Sequence, residues 1–459
     1  MPHHLIAPAG FPAIPVWLVH AHNWEQVFHD LPETGKNFAQ AQGFKPKAGQ
    51  LCLLPGTTGK LEAVLFGIGE PDLSDPFLIG KLPAVLPENS YRFATAVEKP
   101  DLALLAWLLG SYVFDRYTSK PERTAKIVPP QGANIDEVTR IYESVALGRD
   151  LINTPTNDLG PDGIELAARK LAEKYGATIN VITGDDLLAQ NFPMVHAVGR
   201  ASAVAPRLID IVWGKQDAPL VTLVGKGVAF DTGGLNIKPG NSMTLMKKDM
   251  GGAATAMAAA DMIMGSNLPV RLRVIIPAVE NSISANAFRP GDILPSRKGI
   301  SVEIGNTDAE GRLILGDALA LADEEKPELI IDFATLTGAA RVATGPDLPP
   351  FYTDNDTLAA DISRIGMAEN DPVWRLPFWQ PYTPWLDSKI ADINHTASQP
   401  FAGSITAALF LKRFVEHATD YVHFDIYGWT ASDKPARPTG GEVQAARLVH
   451  KLLKERFAP

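Results

Sequence analysis

The sequence predicts an α/β protein, with a smaller N-terminal α/β domain and a larger C-terminal domain whose mostly parallel central sheet is flanked by helices. Three observations lead there. Short apolar runs alternate with segments of helical periodicity through residues 163–333, the pattern of a parallel sheet covered on both faces. Residues 117–134 carry Lys, Pro, Gly and charge but few large apolar side chains, which marks a boundary between two domains. Acids, lysines and glycines crowd the ends of elements in the second part only, where ligands of such sheets bind, beyond the carboxyl ends of the strands.

In residues 1–130 the runs 16–19, 51–54 and 63–66 read as strands closed by Gly and Pro, and 101–114 as an apolar helix with Asp101 as its cap. No chemistry is visible in this domain. Residues 131–155 read as a linker helix, with Val138, Ile141, Val145, Ala146 and Leu151 near helical spacing and Asn153-Thr154-Pro155 as its stop. The second domain, 156–459, opens with a helix at 163–175 and strands at 179–182, 208–213 and 220–224. A helix at 253–264, a strand at 270–276, a helix at 313–322 and a strand at 329–333 follow. There is no internal repeat.

Composition narrows the function classes. With 459 residues and 46% hydrophobic content the chain can bury a large core. A balance of 42 basic against 52 acidic residues, −10 net, argues against nucleic acid or an anionic membrane surface as main partner. The lone Cys52 cannot form an internal disulfide, which suits a reducing compartment. Residues 1–5 lack a basic segment leading into an apolar core, and no run of about 18 apolar residues exists to span a bilayer. The expectation is a cytoplasmic protein of enzyme size.

The densest chemistry lies at 305–313, Gly-Asn-Thr-Asp-Ala-Glu-Gly-Arg-Leu. Asp308 and Glu310, an i, i+2 pair, would share one side of an extended segment between glycines, just before a helix. Taken alone, the stretch fits half of a two-metal site or an exposed turn closed by a Glu310–Arg312 salt bridge. Residues 224–234, Val-Gly-Lys-Gly-Val-Ala-Phe-Asp-Thr-Gly-Gly, leave the end of a strand and offer Lys226 and Asp231; they fit no phosphate loop, and alone read as a Gly-rich turn. Asp249, in the run 246–252, is a candidate helix cap. Yet Asp231, Asp249, Asp308 and Glu310 would meet on one sheet edge, where divalent metal relieves their repulsion. No His-Glu-x-x-His, Gly-x-Ser-x-Gly or paired cysteines offer other hydrolytic chemistry, and His423 reads as a structural strand residue.

These stretches, together with 334–339 (Ala-Thr-Leu-Thr-Gly-Ala), resemble in order and spacing the leucyl aminopeptidase family of dinuclear metallo-exopeptidases. The resemblance covers roughly residues 140–440. It implies that Asp231 and Glu310 bridge two metals, that Lys226 and Asp249 complete one, and that Asp308 completes the other. It implies zinc, exchangeable with manganese, magnesium or cobalt, and an attacking hydroxide held between the metals. Lys238 would help stabilise the oxyanion. Arg312 cannot be the base, since a guanidinium does not deprotonate; the resemblance assigns it a bicarbonate that does that work. The pocket for the first side chain would include Met246, Thr335, Gly338 and Tyr427. Tyr427 stands where the family usually has a small residue, and Thr430 where a larger apolar one is common, so a preference other than leucine is open, as is Tyr427 as a core aromatic. Residues 390–394 and 402–410 match a loop and helix near the family's site. Short peptides, a homohexamer and the cytoplasm are the implied context. A dipeptidase of the cysteinylglycine type and a secondary DNA-binding role are the alternatives.

Overall fold

A computed structural model describes residues 2–70 and 75–458; Met1, which heads the stretch read for a secretory signal, lies outside them. The chain forms two compact units, Met1–Ala146 with Ala431–Thr439, and Leu147–Thr430 with Gly440–Pro459.

The first unit is built on a five-stranded sheet in the order Leu51–Pro55, Leu61–Gly67, Ile14–Val19, Ser90–Phe93, Lys126–Ile127. Leu51–Pro55 and Leu61–Gly67 are joined by a short turn and pair antiparallel, while the remaining pairs are parallel. The helix Pro100–Gly110 is buried all round from Leu102 to Leu109, which is why its sequence is apolar on every face. Asp101 is not its cap. That position belongs to Lys99, and the Asp101 carboxylate accepts from the Asn134 amide at 2.7 Å. The helix stops short of residue 114 where the Ser111 hydroxyl folds back to donate to the Trp107 carbonyl.

The second unit holds a nine-stranded sheet. Leu329–Ala334, Leu220–Gly225 and Arg271–Asn281 run side by side and parallel, and Asp420–Asp425 extends them in the same direction. Arg207–Trp213 and Thr178–Thr183 add antiparallel on one flank and Pro350–Tyr352 on the other, so the sheet is mixed but mostly parallel. Residues 224–234 are more than a turn. After Gly225 the chain steps at Lys226 and resumes as a strand, Gly227–Asp231, pairing farther along Arg271–Asn281. That long strand supplies pairing sites for both segments and leaves Lys226 at the step between them.

The helix Gly251–Gly265 lies against this step and is buried from Gly251 to Met264. Its small residues let it approach the sheet. A Cβ on Gly252 would lie 2.1 Å from the Phe333 carbonyl oxygen, and one on Gly225 would lie 2.6 Å from Ala253 Cα. The helix Glu310–Glu324 is apolar enough to be buried on most of its surface, with Leu313, Ile314, Leu315, Ala318 and Leu319 inaccessible to solvent.

Candidate active site

The site forms where the parallel strands end. Lys226 follows Leu220–Gly225, Asp231 closes Gly227–Asp231, and Thr335 follows Leu329–Ala334. Residues 306–310 do not form the extended segment expected from the i, i+2 acids. Asn306 caps a 3-10 turn, Thr307–Ala309, by accepting from the Asp308 amide at 2.9 Å, and Glu310 opens the helix Glu310–Glu324. Capping chemistry overrides the extended alternative, yet Asp308 and Glu310 still converge.

All the side chains singled out from the sequence as metal, catalytic or pocket residues line one cavity of about 460 Å³. Lys226, 3% exposed, donates to the Thr335 carbonyl at 2.9 Å and lies 2.7 Å from Asp249 Oδ2 and 3.1 Å from Glu310 Oε1. Gly311 makes room for it, since a Cβ there would sit 2.4 Å from Lys226 Cε. Asp231 Oδ1 accepts from the Gly233 amide at 2.9 Å and from Asn281 Nδ2 at 2.8 Å, and its Oδ2 lies 2.7 Å from Lys238 Nζ. Lys238 also pairs with Asp308.

Two alternatives fall away. Glu310 is buried and pairs with Lys226, while Arg312 donates to the His395 carbonyl at 2.7 Å, so no salt-bridged surface turn exists. Asp249 does not cap the helix after it; its Oδ1 accepts from the Thr335 hydroxyl at 2.8 Å. His423 is a strand residue whose Nδ1 lies 2.7 Å from Asp332 Oδ1, away from this cavity.

The electrostatics are those of four clustered acids in direct contact with two ammonium groups. Burial, reinforced by Asp231, pushes the Glu310 carboxyl well above the usual range and raises that of Asp308. Burial works to lower the Lys226 and Lys238 ammonium groups, but Asp249, Glu310 and Asp231 around the first and Asp231 and Asp308 around the second raise both. Even so, lone pairs stay open. Oxygens of Asp231, Asp308 and Glu310 lie within 4.8 Å of one another, and the buried Glu310 Oε2 has no hydrogen-bond partner. Asp249 Oδ2 and Asp308 Oδ1 face ammonium groups off the line of a hydrogen bond. Buried open carboxylate oxygens beside an amine fit divalent metal ions.

Arg312 fits an anion on similar grounds. Burial lowers its guanidinium to about 10, still protonated at neutral pH, and its buried Nε has no hydrogen-bond partner. Beside it His395 is held neutral, its pKa pushed to about 3 by burial and by Arg312. Its Nδ1 accepts from the Gly305 amide at 3.1 Å and its Nε2 lies 2.8 Å from the Asn306 carbonyl. His395 thus fixes both Arg312 and the turn that carries Asp308.

His395 and Asn281 escaped the sequence reading, His395 because it lies one residue past the stretch 390–394. Lys248 and Arg341 also escaped it, and both line the cavity. The Tyr427 ring faces this cavity, with Lys248 Nζ 5.1 Å and Arg341 Cζ 4.8 Å from its centroid. Thr430 is buried in the short strand Trp429–Thr430.

Comparison with known proteins gives consistent matches. Residues 146–450 match the catalytic domain of the cytosol aminopeptidase family, and residues 14–130 match the N-terminal domain of M17 aminopeptidases. A probable cytosol aminopeptidase of Roseiflexus castenholzii is 36% identical over 94% of this chain and 95% of its own length. One of Syntrophotalea carbinolica is 41% identical over 76% of this chain and 73% of its own. Among solved structures, a cytosol aminopeptidase from Coxiella burnetii superposes with a TM-score of 0.94 at 42% identity, covering 99% of each chain. The bottromycin maturation enzyme BotP in complex with Mn gives 0.87 at 29% identity, covering 97% of this chain and 99% of that one.

Proposed function

The chain belongs to the cytosol aminopeptidase (M17) family and is a metal-dependent aminopeptidase, and from that premise we propose which of its residues hold the metals and run the reaction. The observation that carries the assignment is the open lone pair on buried Glu310, within one acid cluster that shares its cavity with Lys238 and Arg312. Asp231 and Glu310 would be shared by two divalent ions, Lys226 and Asp249 would serve one, and Asp308 the other. When bound, such ions lower the pKa of water and polarise the scissile carbonyl.

The protein groups do the rest. Lys226 can act as a ligand only as a neutral amine, so it would have to give up its proton for an ion to be held there. Lys238 donates towards the oxygen that gains charge as the peptide carbonyl is attacked. Arg312, unable to accept a proton itself, would hold a bicarbonate, which would supply a base. Met246, Thr335, Gly338 and Tyr427 receive the side chain of the first residue. The substrates are short peptides, shortened from the N-terminus. Zinc is the first choice of metal; the oxygen-rich ligand set and the BotP complex with Mn support manganese as an alternative.

A homohexamer in the cytoplasm completes the proposal; the names of the relatives support the compartment, and the hexamer rests on the family resemblance alone. No helix among the described residues is long and apolar enough to cross a membrane. The net charge of −10 speaks against a DNA-binding role, and the relatives' names favour aminopeptidase over the cysteinylglycine-type dipeptidase. Digestion of a peptide library with the zinc- or manganese-loaded protein tests the assignment. Stepwise loss of N-terminal residues, abolished by chelation and restored by metal, is the expected result. Internal cleavage, or activity that survives chelation, would overturn it.

A further inference from the structure

Two cations in the catalytic cavity lack an acidic partner. Lys248, within the 3-10 turn Met246–Met250, is 3% exposed and lines the cavity, with its Nζ over the Tyr427 ring. Among the described residues its ammonium makes no hydrogen bond and no ion pair. Its neighbour shows the contrast, for Lys247 Nζ donates to the Asn153 carbonyl at 2.6 Å. Arg341, in the helix Gly338–Thr344, lies over the same ring, lines the same cavity and has no ion-pair partner among the described residues.

The nearby acids are engaged elsewhere. Asp249 faces Lys226 and the Thr335 hydroxyl. Asp425 accepts from the Leu336 and Thr337 amides and from the Thr337 and Ser404 hydroxyls. Two like charges share one aromatic ring, a contact that helps each cation but does not neutralise either. A buried ammonium without a counter-charge is strongly unfavourable, and a ligand that brings an anion relieves it. An apolar side chain such as leucine would instead seal the ammonium away from water unpaired.

We propose that Lys248, Tyr427 and Arg341 form the specificity end of the first side-chain pocket and select peptides whose N-terminal residue is glutamate or aspartate. The inference rests on the aminopeptidase reading and names its substrate class. Tyr427 narrows the pocket and packs the methylene stem, while the two cations pair with the side-chain carboxylate. The C-terminal carboxylate of a dipeptide has the same chemistry, so the test must separate the two sources.

The test compares kcat/KM of the full-length, manganese-loaded protein on Glu-Gly-amide, Gln-Gly-amide and Leu-Gly-amide, with Leu-Gly as the free-carboxylate control. The expected result is a preference of about tenfold or more for Glu over Gln, which collapses in Lys248→Met. In Arg341→Glu, at an exposed position that tolerates change if the buried variant does not fold, the preference should collapse and Lys-Gly-amide should become a better substrate. Equal rates on Glu and Gln amides, a preference unchanged in Arg341→Glu, or a gain that follows the C-terminal carboxylate would overturn the proposal. Those outcomes, with Leu-Gly-amide still cleaved, leave the aminopeptidase reading standing; no cleavage of any amide or of Leu-Gly would sink that reading as well.

Discussion

The helix Glu310–Glu324 carries buried acids at its start, at its middle and near its end, and the first is treated differently from the other two. Asp317 accepts from the amides of Met194, Val195 and Arg297. Asp323 accepts from the amides of Glu416, His417 and Ala418. Both carboxylates are ringed by N–H donors and tie distant segments to the helix. Glu310 has one oxygen against Lys226 and the other without any partner. Burial alone therefore does not mark a functional acid. Asp317 and Asp323 have their lone pairs filled by backbone amides, and Glu310 keeps one oxygen open, as the proposed metal role requires.

Breaking the open end should cost activity. Glu310→Gln keeps the shape and removes the charge, and kcat/KM should fall about 10³-fold or more with loss of bound metal, while the metal-free protein melts near the wild-type temperature. Metal analysis beside calorimetry checks this. Arg312→Ala should lower turnover about 10²-fold and leave metal content near normal; loss of both metals would remove Arg312 from the role of bicarbonate holder. Breaking the closed end should cost stability instead. Asp323→Ala leaves three amides without their acceptor and should lower unfolding stability by about 1–3 kcal/mol in denaturant titration, with turnover per folded molecule preserved.

A smaller effect sharpens the contrast at the pocket. Tyr427→Ala should change the ranking of leucyl, alanyl and methionyl anilides by about 10-fold or less. An unchanged ranking would show that the ring does not line the pocket.

Much of the fold and the acids of the open end were legible in the sequence, for reasons that differ by residue, while nothing in it singled out Asp317 or Asp323. The strands and helices expected between residues 163 and 333 are present, and most of their ends fall close to those expected because burial on both faces of the sheet demands that pattern, but the strand expected at 270–276 runs on to Asn281. The clustering of Asp231, Asp308 and Glu310 was legible because each falls at the end of an element that the sheet brings to one edge. The local backbone was not legible. The i, i+2 spacing of Asp308 and Glu310 suits a strand as well as a 3-10 turn leading into a helix, and only the Asn306 cap decides between them. The strand Gly227–Asp231 was hidden by its glycines, which read as a turn until the long partner Arg271–Asn281 is known. In Met246-Lys247-Lys248-Asp249 nothing local says which lysine turns inward. Lys248 does, because Asn153 takes the ammonium of Lys247.

Metal stoichiometry by equilibrium dialysis, measured side by side on wild type, Glu310→Gln and Asp323→Ala, tests the central claim most directly. The account predicts two divalent ions per chain in wild type and in folded Asp323→Ala, and a loss of bound metal with loss of activity in Glu310→Gln. Equal binding in wild type and Glu310→Gln with activity retained, or metal lost from folded Asp323→Ala as readily as from Glu310→Gln, would contradict it.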